Sequence, residues 1–257
     1  MYASDYVLRK SKQMRTIVKG FLPMLGVMII TGALVFVEPD LGALIVITAI
    51  AMGILFLGGL TLRVILSLAI LTPIGVWGAI LISPYKQARI QGFLDPWAPE
   101  NVLGSGYQTT QAQMAFGNGE FFGTGVGNSV AKLSFLPEAH TDFIMAIIGE
   151  EFGLFGVTII IGLFAFLIIR MFGIAKESIK NNRHFAALMT QGVAIWFSIQ
   201  CTINIGVNLG LFPTKGLTLP LLSFGGSSIL VSIIAIAIVL RIDHENRRNL
   251  RGQHYNK

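Results

Sequence analysis

The apolar residues of this chain come in blocks of about 20, the length an α-helix needs to cross the hydrocarbon core of a bilayer. Six such blocks are predicted to be spanning helices, at residues 17–37, 41–59, 62–82, 143–169, 185–211 and 219–240. With 53% hydrophobic and only 12% charged residues, a water-soluble globule of this sequence would expose far too much apolar surface. The expected fold class is therefore an all-α integral membrane protein with six transmembrane helices. Residues 1–257 are read as one membrane domain, and the long polar, Gly-rich stretch at 83–141 as a large, partly helical external loop between the third and fourth spans.

The basic residues set the expected orientation. If both ends of the chain are cytoplasmic, 15 of the 19 Lys and Arg residues lie inside, and only Lys86, Arg89, Lys132 and Lys215 lie outside. The positive-inside rule favours that arrangement and makes 83–141 external. A net charge of +6 might suggest nucleic acid, but these residues flank apolar spans and form no stripe with interleaved aromatics, so lipid headgroups explain them and no nucleic-acid partner is expected. The first 16 residues are polar and basic and lack the short apolar core and cleavage site of a secretory signal, so the first span is expected to serve as targeting signal. Cys201 lies in a span and has no second cysteine to pair with; it reads as packing.

Polar residues near the external ends of the spans are the candidates for chemistry. The segment SFLPEAHTDFIMAIIGEE, 134–151, places Glu138, His140 and Asp142 at the entrance to an apolar run and Glu150 and Glu151 inside it. Asp142 stands where the loop becomes the fourth helix, so its carboxylate either caps that helix or acts as a base at the membrane surface. Glu138, His140 and Asp142 at alternate positions are also a low-specificity set of ligands for a divalent ion. On a straight helix Glu150 lies about 12 Å deeper than Asp142 and about 80° round the axis. An anion there needs interior partners, so a buried polar network beneath the site is expected.

In the loop, Arg89 and Lys132 can bring cations to the same mouth. Tyr107, Gln108, Gln111 and Gln113 either offer hydrogen bonds to a sugar or form a solvated helix face. Seven glycines between Gly104 and Gly127 permit close backbone approach, without the strand and helix context of a phosphate-binding loop. Asp40, in EPDLG, either caps the second helix or lines an outward cavity. PTKGLTLPLLSFGGSS, 213–228, carries two prolines and a GGSS break, and predicts an irregular helix entrance. Ser223 and Ser227 of that stretch are grouped with Asp40 and Glu150 as a structural polar network.

Taken in order, EPDLG, RIQGFLDPW, GYQTTQAQMAFGNGEFFGTGVGNS, LPEAHTDFIMAIIGEEFG and PTKGLTLPLLSFGGSS resemble the SEDS proteins (shape, elongation, division and sporulation), most nearly the division and sporulation members. The resemblance extends over essentially the whole chain; Lys215 and Phe224 depart from the residues expected in the last motif. Members have ten spans, so the chain resembles the C-terminal part of such a protein, and residues 1–257 alone are expected to be inactive.

The resemblance implies a peptidoglycan glycosyltransferase of the bacterial cytoplasmic membrane that polymerises lipid II at the outer face. It assigns Asp142 as the catalytic base and implies Arg89, Gln111, Lys132, Glu138 and His140 as substrate-binding residues. It further implies a divalent cation such as Mg or Mn, no organic cofactor, a class B penicillin-binding protein as partner and other membrane proteins of the division machinery. A lipid II flippase and a non-catalytic scaffold are the alternatives. Acids, cations and the Gly-rich loop all on the outer side favour polymerisation, since a flippase needs a polar path to the inner face.

Overall fold

The computed structural model describes residues 1–14, 16–37, 40–68, 70 and 84–255. Among them the regular structure is entirely helical: α1 (Tyr2–Arg9), α2 (Leu22–Val37), α3 (Leu41–Leu57), α4 (Pro84–Leu94), α5 (Pro99–Val102), α6 (Tyr107–Gly119), α7 (Ile144–Lys180), α8 (His184–Asn208) and α9 (Gly226–Tyr255). Among the described residues, four segments are long and apolar enough to cross a membrane: Val18–Val35, Ile144–Lys180, His184–Asn208 and Gly226–Asn249. Only 22% of the most apolar window of α7, and the same share in α9, is buried inside the protein, so side chains such as Phe155, Phe166, Leu230 and Ile233 face outward. That inversion is what hydrocarbon permits and water does not. The chain is a multi-pass membrane protein.

The predicted second span corresponds to the 17-residue α3. The third, 62–82, is helical over 62–68, and most of its remainder lies outside the described residues, as do Glu38 and Pro39 of the first turn. The fourth runs on to Lys180, beyond the expected end at 169. The sixth begins later than expected, at Gly226 instead of 219. Pro213 and Pro220 supply no N–H, and Leu221 has φ 67°, so residues 213–225 form an irregular approach to α9.

The chain divides into two compact units. The first comprises Met1–Ala69, Phe166–Ile199 and Leu230–Lys257. One of its cores gathers Tyr6, Val7, Met14, Phe21, Ile54, Leu55 and Leu188; another joins Met171, Phe197 and Val239. The first of these cores includes α1, which sequence reading leaves as a basic tail. Tyr6 also donates its hydroxyl to the Gly20 carbonyl at 2.7 Å.

The second unit comprises Ile70–Ala165 and Gln200–Ile229. Its organising feature is a break in α7 at Gly153, where φ is 66° and ψ −166°. A break in an apolar helix orphans backbone groups, and here the Gly-rich loop satisfies them. The N–H groups of Thr124 and Gly125 donate to the carbonyls of Glu150 and Glu151, while those of Leu154 and Phe155 donate to Glu120 and Phe121. The loop comes so close that a Cβ on Gly119 would lie 1.8 Å from the Gly149 carbonyl oxygen. Gly119→Ala is therefore expected to lower stability by about 1–3 kcal/mol through forced backbone movement. Gly117→Ala, two residues earlier with nothing within 4 Å of its Cβ position, should be tolerated. Equal thermal midpoints for the two variants in detergent would contradict the close approach.

Candidate functional site

Gln200, Asn204 and Asn208 recur every four residues and so share one face of α8. All three are buried, Asn204 and Asn208 almost completely. Amides in an apolar helix need partners, and these find them on two other segments. Asn204 Nδ2 donates to the main-chain carbonyls of Asp142 at 2.9 Å and Leu217 at 2.6 Å. Asn208 Nδ2 donates to the same Asp142 carbonyl at 2.8 Å, and its Oδ1 accepts from the Ala146 N–H at 2.9 Å. Gln200 Nε2 donates to the Thr218 carbonyl at 2.7 Å. The helix thereby ties the turn before α7 to the approach to α9.

Asp142 itself lies in that turn, two residues before α7 begins, and is half-buried. Glu138, at φ 56°, closes the turn by accepting at its carbonyl from the N–H groups of Thr141, Asp142 and Phe143. The Asp142 carboxylate faces the irregular segment, with Oδ2 3.3 Å from where a Cβ on Gly216 would sit. The His140 carbonyl accepts from Phe224 N–H at 2.8 Å, a second tie to that segment, while the imidazole is exposed. The Glu138 carboxylate accepts from the Thr141 hydroxyl at 2.7 Å. Turn, amide face and irregular segment thus converge around one half-exposed carboxylate whose main chain cannot easily shift.

The acids beyond the turn serve the α7 break. Glu150, 1% exposed, accepts from Ser129 Oγ at 2.5 Å, Val130 N–H at 3.2 Å and Ala131 N–H at 3.1 Å. Glu151 pairs with Lys132 Nζ at 2.6 Å. Lys132, read from sequence as a cation for the mouth beside Asp142, is thus engaged by an acid of α7. The straight-helix geometry expected between Asp142 and Glu150 does not apply, because Asp142 precedes the helix.

The other expected members of the polar network have local surroundings of their own. Asp40 caps α3 by accepting from Ala43 N–H at 2.9 Å. Ser223 Oγ accepts from Leu219 N–H at 2.7 Å within its own turn. Ser227 is exposed, and its neighbour Ser228 meets Thr218 at 2.8 Å. Arg89 on α4 and Gln111 on α6 are half-buried. Gln113 accepts from Trp97 Nε1 at 3.0 Å, which anchors α6 to the preceding turn. Among the described residues no three of His, Cys, Asp and Glu gather as a metal ion would require.

Comparison with known proteins places this geometry in a family. The chain is 51% identical over 252 residues to a protein of Aromatoleum aromaticum named probable peptidoglycan glycosyltransferase FtsW, spanning 98% of this chain and 61% of the relative. A protein of the same name from Burkholderia thailandensis is 50% identical over 253 residues, 98% of this chain and 54% of the relative. The chain thus spans little more than half the length of these relatives. A solved structure described as structural coordination of polymerization and crosslinking by a peptidoglycan synthase complex contains a chain 28% identical, with a TM-score of 0.70 over 94% of this chain and 68% of its own. Residues 1–248 match the FTSW_RODA_SPOVE family, described as cell cycle protein, and the chain belongs to that family.

Proposed function

We propose that the protein carrying this chain is a peptidoglycan glycosyltransferase that polymerises lipid II at the outer face of the bacterial cytoplasmic membrane. The observation that carries this reading is the extent of likeness to proteins so named, 51% identity across 98% of the chain. The site agrees with it chemically. Joining two sugars requires an acceptor hydroxyl to lose its proton while it attacks the anomeric carbon of the other sugar, as the pyrophosphate leaves. Asp142 is the carboxylate proposed to take that proton. Its half-exposed position admits a hydroxyl, and the amides of Asn204 and Asn208 hold its main chain. Gly216 opposite it leaves room that any larger residue would fill.

Arg89, Gln111, Glu138 and His140 are assigned to the substrate in this proposal; Lys132 is assigned to holding α7 through Glu151. The described residues offer no ready set of metal ligands, so no step is routed through a divalent ion, which enters only as a variable of the assay. The segment 83–141 is taken as external and both ends of the chain as cytoplasmic, on the charge distribution. The likeness to a chain in a complex for polymerization and crosslinking supports a class B penicillin-binding protein as partner, supplying the crosslinking activity.

The test is a gel assay of purified full-length protein with lipid II, with and without the class B partner and with Mg or Mn. A ladder of glycan strands, stronger with the partner, is expected. Lipid II crossing the bilayer of a proteoliposome with no polymer formed under any of these conditions would replace the polymerase reading with the flippase one.

A further inference from the structure

In the first compact unit, an apolar groove of about 430 Å³ runs between α8 and α9, lined by Phe185, Ile234, Ala237 and Ile238 among others and flanked by Arg183 and Arg241. Both arginines stand at the limits of apolar sequence. Arg183 immediately precedes α8, and Arg241 follows the apolar run of α9 that ends at Leu240. The basic end of the groove is fixed in place. Arg183 Nη1 donates to Asn246 Oδ1 at 3.0 Å, and Asn246, fully buried, donates in turn to Ser178 Oγ at 2.8 Å. A single carboxylate, Glu245, is shared between the two cations, pairing with Arg183 and accepting from Arg241 Nε at 2.7 Å. Two guanidinium groups against one carboxylate leave a surplus positive charge at the headgroup level, directly above an apolar slot.

We propose that this groove is a binding site for an anionic phospholipid, its phosphate at Arg183 and Arg241 and an acyl chain along Phe185, Ile234 and Ile238. Basic pockets between membrane helices recognise headgroups of this kind. Arginine suits the task because its planar fork carries five N–H donors: Arg241 meets Glu245 through Nε and can turn its Nη groups to a phosphate, while Arg183, held by Glu245 and Asn246, adds a fixed positive charge. Ordinary bulk lipid would fill the slot without preferring charge, so charge preference is the property that defines the site. The site lies in the unit that does not contain Asp142, and the proposal stands whether or not that residue is a base.

The experiment is native mass spectrometry of the full-length protein in detergent, supplied with phosphatidylglycerol or phosphatidylethanolamine of matched chains. The unaltered protein is expected to retain phosphatidylglycerol preferentially. Arg241→Gln should reduce that retention about fivefold, the effect of one cation near a headgroup. Ala237→Trp, at an exposed position in the groove wall, should displace either lipid. Equal retention of the two lipids by the unaltered protein would overturn the proposal, as would phosphatidylglycerol retention unchanged in either variant. Loss of a co-purifying membrane partner in Ala237→Trp with lipid retention intact would also overturn it and assign the groove to a partner helix.

Discussion

Asp142→Asn in the full-length protein is expected to insert and fold normally and to polymerise lipid II about 100- to 10,000-fold more slowly, the range that a positioned base supplies. The substitution keeps the size of the side chain and most of its hydrogen-bonding capacity, but removes the group that accepts a proton. It also leaves the attachment of the turn intact, because Asn204 and Asn208 bind the main-chain carbonyl of residue 142 and not its carboxylate. A lost cap would cost only about 1 kcal/mol of stability, so the rate loss and the stability loss differ enough in size to be told apart. Glu138→Gln and Glu150→Gln are the controls. Glu150 accepts three hydrogen bonds from the loop, and an amide there would turn its own N–H groups toward donors, costing about 1–3 kcal/mol of stability without removing a base. The measurement is the initial rate at saturating lipid II and divalent cation. Near-parental activity in a folded Asp142→Asn protein would return Asp142 to a structural residue of the turn.

The position of Asp142 and the irregular approach to α9 were legible because both are local. A switch from polar to apolar residues marks the start of α7 to within two residues, and Pro213 and Pro220, which lack an N–H, break a helix locally. The break at Gly153 was not legible. A lone glycine in an apolar run reads as packing, and its conformation depends on backbone partners from Glu120 to Gly125, some thirty positions earlier, which no local pattern reveals. For the same reason the local pattern places Lys132 at the mouth of the site, whereas its partner is Glu151. The amides of α8 are a different case. In QCTINIGVN the four-residue spacing of Gln200, Asn204 and Asn208 signals one polar helix face, a pattern that neutral amides show less plainly than charged residues do. YASDYVLR is likewise amphipathic, and burial of Tyr6 and Val7 shows that this helix packs.

The amide face carries the second large effect. Asn208→Leu removes one of two donors to the Asp142 carbonyl, which keeps Asn204, and one of two acceptors for Ala146 N–H, which keeps the Phe143 carbonyl. Each lost hydrogen bond should cost about 1 kcal/mol of stability. If the amide positions the carboxylate, the rate should fall by about 100-fold as well, since displacement by about 1 Å is enough for a loss of that order. The fall should appear in kcat with little change in KM. Gln200→Leu provides the comparison, because Gln200 lies on the same face of α8 and ties it to the approach to α9 through Thr218. A merely structural role predicts that rate losses in the two variants track their stability losses, whereas positioning predicts that Asn208→Leu loses far more rate for the same stability. The decisive variant combines Asn208→Leu with Asp142→Asn. A residue that acts through Asp142 has nothing left to position once the base is gone, so the double variant should be little slower than Asp142→Asn alone. Rate losses that multiply in full would mean that Asn208 serves catalysis by a route independent of Asp142.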